Sequence, residues 1–173
     1  MVDIHCHILP EVDDGAWDLE TAMEMARMAV RSGIKRIIAT PHFQGVPESL
    51  EQMPYILHQY RQLQSAIQRE KLELELIPGA EVLCVPQTLE LARMGRLPTL
   101  GNSKYVLTEF YFDASWEFMD ATLEGLRENA DRTDGLFQSM FLAGGLTLSQ
   151  VSSITGLETY TIQNWVKRGF LAP

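Results

Sequence analysis

The stretch MVDIHCHILPEVDDGAWDLETAMEMARMAVRSGIKRIIATPHF, residues 1–43, decides the fold class of this chain. Residues 2–6 form a short apolar run that predicts a strand, and residues 35–40 (KRIIAT) predict a second one. Between them, residues 18–32 place apolar side chains three and four positions apart, as in a helix with one buried face, and Gly33 is a natural helix end. The stretch therefore predicts a strand–helix–strand unit.

The same alternation continues to about residue 129. Further strands are predicted over residues 72–77 and 105–110, and further helices over residues 47–70, 86–94 and 115–129. The helix over 47–70 is interrupted at Pro54, so we expect it to form two pieces. Strands that alternate with helices indicate the α/β class, with about four βα units in a parallel sheet or an incomplete (β/α) barrel.

A short polar stretch, residues 131–135, separates a second segment in which no strand is evident. Short helices are predicted there over residues 136–143, 147–155 and 160–168. We therefore expect two domains, residues 1–130 and residues 134–173.

Composition limits the classes of function. The net charge is −9, and residues 131–173 carry three basic and three acidic side chains, so the acidic excess lies in residues 1–130. An acidic surface there argues against nucleic-acid binding by that part and suits a site that collects cations.

No apolar run reaches the roughly 18 residues of a membrane helix, and no signal-peptide pattern is present, so we expect a cytoplasmic protein without membrane contact. The two cysteines form no CxxC pair, which makes a disulfide framework improbable.

Side chains that bind metals follow the predicted strands. His5 and His7 close the first strand, with Asp13 and Asp14 in its loop, and the later strands are followed or ended by three more candidates: His42, Glu81 and Glu109. Carboxyl ends of strands form the face at which barrel enzymes assemble their sites. A single histidine at a strand end is more often structural than a ligand, but the conjunction of five such positions favours a metal site.

The spacing and type of these side chains indicate the chemistry. Residues two apart on a strand point to one side, so His5 and His7 can reach one ion while Cys6 faces away. A mixed set of imidazoles and carboxylates suits manganese, iron or zinc better than calcium or magnesium. A carboxylate such as Glu81 can bridge two ions about 3.5–4 Å apart, the arrangement that activates water against a phosphate ester. His58 lies within a predicted helix and is interpreted as a surface or packing residue.

Residues 1–43, with PGAEV and LGNSKYVLTEF further on, resemble the PHP-type metal-dependent protein tyrosine phosphatases of bacterial capsular and exopolysaccharide operons. The resemblance covers residues 1–128. It implies a distorted seven-stranded (β/α) barrel, two or three metal ions, most often manganese, and hydrolysis of phosphotyrosine by a metal-activated water. It also implies a phosphotyrosine protein as the substrate, such as a tyrosine kinase of the capsule pathway. The positions that match the family's ligands are His5, His7, Asp14, His42, Glu81 and Glu109.

The chain departs from this family in its second half. The family continues with a His-Pro-Glu-Arg-like segment and an Asp-x-His pair, whereas no histidine follows His58 here. About three barrel strands are missing as well, so exposed sheet edges predict oligomerisation or aggregation. The thiolate chemistry of other tyrosine phosphatases is excluded, because it needs an arginine six positions after the cysteine, where this chain has Val12 and Glu90.

Residues 134–173 resemble small bacterial proteins with a MerR-like helix-turn-helix. In that interpretation the last helix contacts DNA weakly through Thr161, Gln163, Asn164, Lys167 and Arg168. The alternative is a helical packing module without a DNA partner, because the segment is electrically neutral. Two functions follow: a metal-dependent phosphatase, or a catalytically impaired, truncated phosphatase domain fused to a regulatory module. 

Overall fold

Strands and helices alternate along the computed structural model, which describes residues 1–101 and 103–130. The elements in chain order are β1 (Val2–Cys6), α1 (Leu19–Arg31), β2 (Arg36–Ala39), β3 (His42–Gln44), α2 (Met53–Arg69), β4 (Glu75–Pro78), β5 (Glu81–Leu83), α3 (Thr88–Arg93), β6 (Leu107–Glu109) and α4 (Trp116–Glu128). The mixed α/β class is therefore confirmed.

Local sequence sets the ends of α1. The side chain of Asp18 accepts a hydrogen bond of 2.8 Å from the backbone N–H of Thr21, as expected of a helix N-cap, and this bond lowers the pKa of Asp18. Gly33 follows the helix with a φ of +81°, a conformation that glycine adopts without steric cost. The predicted helix and its end are confirmed.

The predicted interruption near Pro54 is also confirmed. A 3-10 helix over Pro47–Gln52 precedes α2, and Pro54 lies in the first turn of α2. A proline is accepted in a first turn because the backbone N–H that it lacks would have no partner inside the helix there.

The number of strands differs from the prediction. The described residues contain six strands in two parallel three-stranded sheets, ordered β1-β2-β4 and β3-β5-β6, where four strands were expected. The two strands that the sequence did not predict, β3 and β5, have only three residues each. Three residues are too few for a periodic hydrophobic pattern, and they become strands because parallel neighbours pair with them. A closed or partial barrel is not established by these two sheets.

Helix α2 packs its apolar face on the sheet through large, fully buried side chains. Leu63 has no exposed surface, and Tyr60 is 1% exposed. The hydroxyl of Tyr60 donates a hydrogen bond of 2.8 Å to the carbonyl of Leu76 in β4. Burial raises the pKa of Tyr60 to about 12, and the charge of Glu75 adds to that rise. The first sheet is thereby held against α2.

The predicted helix-turn-helix over residues 134–173, with its five candidate DNA contacts, lies outside the described residues. Within the part of the chain that is described, no helix is long and apolar enough to cross a lipid bilayer.

Candidate metal centre

The loop between β1 and α1, residues 7–18, is folded back on itself at the rim of the sheets, and we call it the metal loop. The backbone N–H of Ala16 donates to the carbonyl of His7 (3.2 Å), and that of Glu11 donates to the carbonyl of Ala16 (2.9 Å). Gly15 is required in this closure, because a Cβ atom there would lie 1.9 Å from the carbonyl oxygen of His7. The closed loop brings Asp13 and Asp14 next to the end of β1.

The second sheet places the other acidic and imidazole side chains. His42 and Glu81 are paired in the parallel register of β3 and β5, and Glu109 is the last residue of β6. The backbone N–H of Glu81 donates to the carbonyl of Pro41 (3.0 Å), which ties the start of β5 to the start of β3. His42 and Glu81 were predicted in loops after strands. They are instead the first residues of β3 and β5, because these short segments pair with each other in parallel.

One carboxylate oxygen lies at the centre of the site. Oε2 of Glu81 is 3.2 Å from Nε2 of His5, 3.1 Å from Nε2 of His7 and 3.3 Å from Nδ1 of His42. Two donor atoms bonded to one ion at about 2.1 Å, at roughly 90–109° to each other, lie about 3.0–3.4 Å apart. The spacing of these atoms therefore fits ligands that share a small divalent ion.

Asp14 and Glu109 extend the cluster. Oδ1 of Asp14 is 3.5 Å from a ring nitrogen of His7 and 3.5 Å from one of His42, while Oε2 of Glu109 is 3.7 Å from Nδ1 of His42. Three groups of candidate ligands result, each with its donor atoms within 4.8 Å of one another: His5, His7 and Glu81; His7, Asp14 and His42; and His42, Glu81 and Glu109. The six residues singled out in the sequence thus lie together, whereas His58 is on α2 and belongs to none of the groups.

Asp13 also lies at the site. In the sequence it stands with Asp14 among the metal-binding side chains after the first strand, but not among the positions that match the family's ligands. Its Oδ2 is 2.9 Å from Nδ1 of His7 and accepts the backbone N–H of His42 (3.0 Å). Its position beside Asp14 in the metal loop was a weak signal, because adjacent side chains of a loop rarely serve the same ion. The tertiary contact to His42 could not be seen in the sequence.

The cluster is rich in negative charge. Asp13, Asp14, Glu81 and Glu109 lie within reach of the three imidazoles. Among the described residues, the ion pairs of lysine and arginine engage other carboxylates: Glu20, Glu70, Glu73 and Glu75. Carboxylates gathered around neutral imidazoles repel one another unless cations lie between them. The donor set therefore fits divalent metal ions.

The two cysteines are unsuited to nucleophilic attack. Burial raises the pKa of Cys6 to about 11, with a further contribution from the charge of Asp3, and burial raises the pKa of Cys84 to about 11 as well. Both thiols are protonated at neutral pH, and the thiolate is the reactive form. The absence of an arranged cysteine nucleophile, inferred from the sequence, agrees with these environments.

Comparison with known proteins finds relatives over most of the chain. Tyrosine-protein phosphatase YwqE of Bacillus subtilis is 40% identical over 135 residues, which are 72% of this chain and 51% of that protein. Tyrosine-protein phosphatase CpsB of Streptococcus agalactiae serotype V is 29% identical over 127 residues, 73% of this chain and 51% of that protein. The chain spans about half the length of these relatives.

A solved structure is similar over the same region. It belongs to a study of YwqE from Bacillus subtilis and CpsB from Streptococcus pneumoniae, which are described as metal-dependent tyrosine phosphatases. The similarity has a TM-score of 0.63 and a sequence identity of 37%, and it covers 74% of this chain and 51% of that chain. The family model for capsular polysaccharide synthesis, CpsB/CapC, matches residues 1–130. This chain therefore belongs to the CpsB/CapC family.

Proposed function

We propose that residues 1–130 supply much of the metal centre of a phosphatase that hydrolyses phosphotyrosine, or a related phosphate ester, in the capsule pathway. The observation that carries the proposal is the convergence of three imidazoles on one oxygen of Glu81, at 3.1–3.3 Å. The names of the relatives, which are tyrosine phosphatases, support the choice of substrate. A tyrosine kinase of the same pathway is the phosphoprotein that the family resemblance favours.

The charges of the site explain why cations are needed. A phosphate monoester carries about two negative charges at neutral pH, and the four carboxylates at this site would repel it. Two divalent ions would offset those four charges and allow the ester to approach. Such ions, when bound, polarise a phosphoryl oxygen and lower the pKa of a water molecule so that it can attack phosphorus.

The ring nitrogens limit how the residues can share the ions. His7 can offer only Nε2, because its Nδ1 faces Asp13. We therefore assign His5, His7 and Glu81 to one ion. His42, Glu81 and Glu109 would hold another, so that Glu81 would serve both. A set of ligands that combines imidazole nitrogens with carboxylate oxygens suits manganese, with iron and zinc as alternatives. The family resemblance allows for a third ion, for which Asp14 is the available ligand.

The exposure of the ligands indicates the side from which a substrate approaches. The side chains of Glu81 and His7 are 11% and 18% exposed, whereas that of Asp14 is 80% exposed. A phosphate group would therefore enter past Asp14 towards the deeper pair. Glu81 is held by the pairing of β5 with β3 and β6, and His7 by the backbone hydrogen bond from Ala16. The more exposed ligands would contact the substrate.

The test uses the full chain with manganese chloride. Bound manganese is measured by elemental mass spectrometry, and hydrolysis of p-nitrophenyl phosphate and of a phosphotyrosyl peptide is assayed with and without the metal. We expect metal binding and metal-dependent turnover, both reduced at least about tenfold in His5→Ala and His7→Ala, because each loses a nitrogen ligand. His58→Ala is the matched control and should behave like the unsubstituted chain. Failure to bind manganese would contradict the metal centre, and binding without turnover would contradict the assignment of activity to this chain.

A further inference from the structure

Asp13 occupies an unusual position for a carboxylate that has no assigned role. Its side chain is only 9% exposed. Oδ2 lies 2.9 Å from Nδ1 of His7 and accepts the backbone N–H of His42 at 3.0 Å, while Oδ1 accepts the N–H of Gly15 at 3.2 Å. One side chain thus connects two parts of the metal loop with the start of β3.

These contacts determine which nitrogen of His7 carries the proton. Both ring nitrogens of His7 face a carboxylate that can only accept hydrogen bonds: Nδ1 is 2.9 Å from Asp13, and Nε2 is 3.1 Å from Glu81. The contact with Asp13 is the shorter one, and Oε2 of Glu81 is shared with two other imidazoles, which favours the proton of a neutral His7 ring on Nδ1. Nε2 then presents a lone pair, and it points at Oε2 of Glu81 (3.1 Å) and Nε2 of His5 (3.2 Å). A ring lone pair and a carboxylate oxygen at that distance suit a cation between them. Asp13 therefore directs the lone pair of His7 to the place where an ion would lie.

We propose that Asp13 is a positioning residue of the metal centre, which sets the tautomer of His7 and anchors the backbone of His42. It acts through these residues and not as a ligand, because its Oδ2 faces His7 and the backbone of His42, and because Asp13 belongs to none of the three groups of candidate ligands. A carboxylate behind a metal-bound histidine typically fixes the ring orientation and makes the ring a stronger ligand. The inference rests on the metal centre proposed above, and it adds the residue that prepares one ligand for it.

The tautomer can be measured on the metal-free, unsubstituted chain. A long-range proton–nitrogen correlation spectrum at mildly alkaline pH distinguishes a protonated from an unprotonated ring nitrogen, and His7→Ala identifies the signals of His7. We expect Nδ1 of His7 to be protonated and Nε2 to be unprotonated. A proton on Nε2 would overturn the proposal. This measurement needs neither a bound ion nor activity, so it gives a result even if the chain fails to bind manganese. A failure of this inference can therefore be distinguished from a failure of the proposed function.

Variants test the effect on the ion. Asp13→Ala should weaken manganese binding, measured by calorimetry on the full chain, by about 10- to 100-fold, and Asp13→Asn, which keeps an acceptor oxygen, should recover part of that loss. Asp3→Ala is the matched control, because the Asp3 carboxylate accepts the backbone N–H of His5 and, within residues 1–101 and 103–130, is in contact with no imidazole ring. Its affinity should stay within about twofold of the unsubstituted chain. A folded Asp13→Ala variant with unchanged affinity would overturn the proposal.

Discussion

Replacing Glu81 by glutamine is the substitution that separates metal binding from folding most clearly. Glutamine has nearly the same shape, but it removes the negative charge on which three imidazoles converge. Glu81 belongs to two of the three candidate ligand groups, those with His5 and His7 and with His42 and Glu109. The change therefore weakens the binding of both ions of the proposed pair, while the packing of β5 is retained.

The magnitude follows from the loss of one charged contact per ion. Such a contact contributes about 1.5–3 kcal/mol, which corresponds to roughly a 10- to 150-fold weaker dissociation constant for manganese. With manganese at 100 times the original dissociation constant, binding stabilises the fold by about 2.7 kcal/mol, and a hundredfold weaker site retains about 0.4 kcal/mol. The difference should remove roughly 5–9 °C of the metal-induced rise in melting temperature. Without metal, the variant should melt no lower than the original chain, because a repulsive charge has been removed.

The assay is thermal unfolding followed by circular dichroism, with and without manganese at that fixed concentration. The control is Glu24→Gln, an exposed residue of α1 with the same chemical change. It should keep the full metal-induced shift. A Glu81→Gln variant that also keeps the full shift would refute the reasoning, as would a metal-free variant that melts well below the original chain.

Three further outcomes are expected. Gly15→Ala should weaken manganese binding at least about tenfold, because the added Cβ would lie 1.9 Å from the carbonyl oxygen of His7 and must displace that residue; unchanged calorimetric affinity would count against the closed metal loop. Alkylation of Cys6 and Cys84 by iodoacetamide, followed by mass spectrometry, should be slow at neutral pH and rise only as the pH approaches about 11, since burial keeps both thiols protonated below that value; rapid modification at neutral pH would contradict it. Tyr60→Phe should cost about 1–3 kcal/mol in urea unfolding, because a buried carbonyl of β4 loses its hydrogen-bond donor, and an unchanged midpoint would contradict that contact.

Local sequence was sufficient to predict the helices. The Asp18 cap and Gly33 mark α1, and Pro54 marks the division before α2, because capping groups and proline act on the backbone within one turn. The positions of the candidate ligands near the strand ends could also be predicted from the sequence, because the carboxyl ends of parallel strands share one rim. These features depend on neighbours in sequence, or on a pattern that all parallel sheets share.

Other features depend on contacts between distant residues. The strands β3 and β5 exist because His42 and Glu81 are brought into register, although they are 39 positions apart in the chain. No periodic pattern marks a three-residue strand. The sequence accordingly predicted His42 and Glu81 as loop residues, and it could not show that one oxygen of Glu81 would lie within 3.3 Å of three imidazoles.

The amino-acid sequence by itself determined the α/β class, the helix ends and the set of candidate metal ligands, because these follow from local capping, periodicity and residue chemistry. Only the tertiary structure decided which atoms meet, which strands form by pairing, and that Asp13 stands behind His7. Distances between atoms of different strands are set by the packing of the whole domain, and a linear pattern does not contain them.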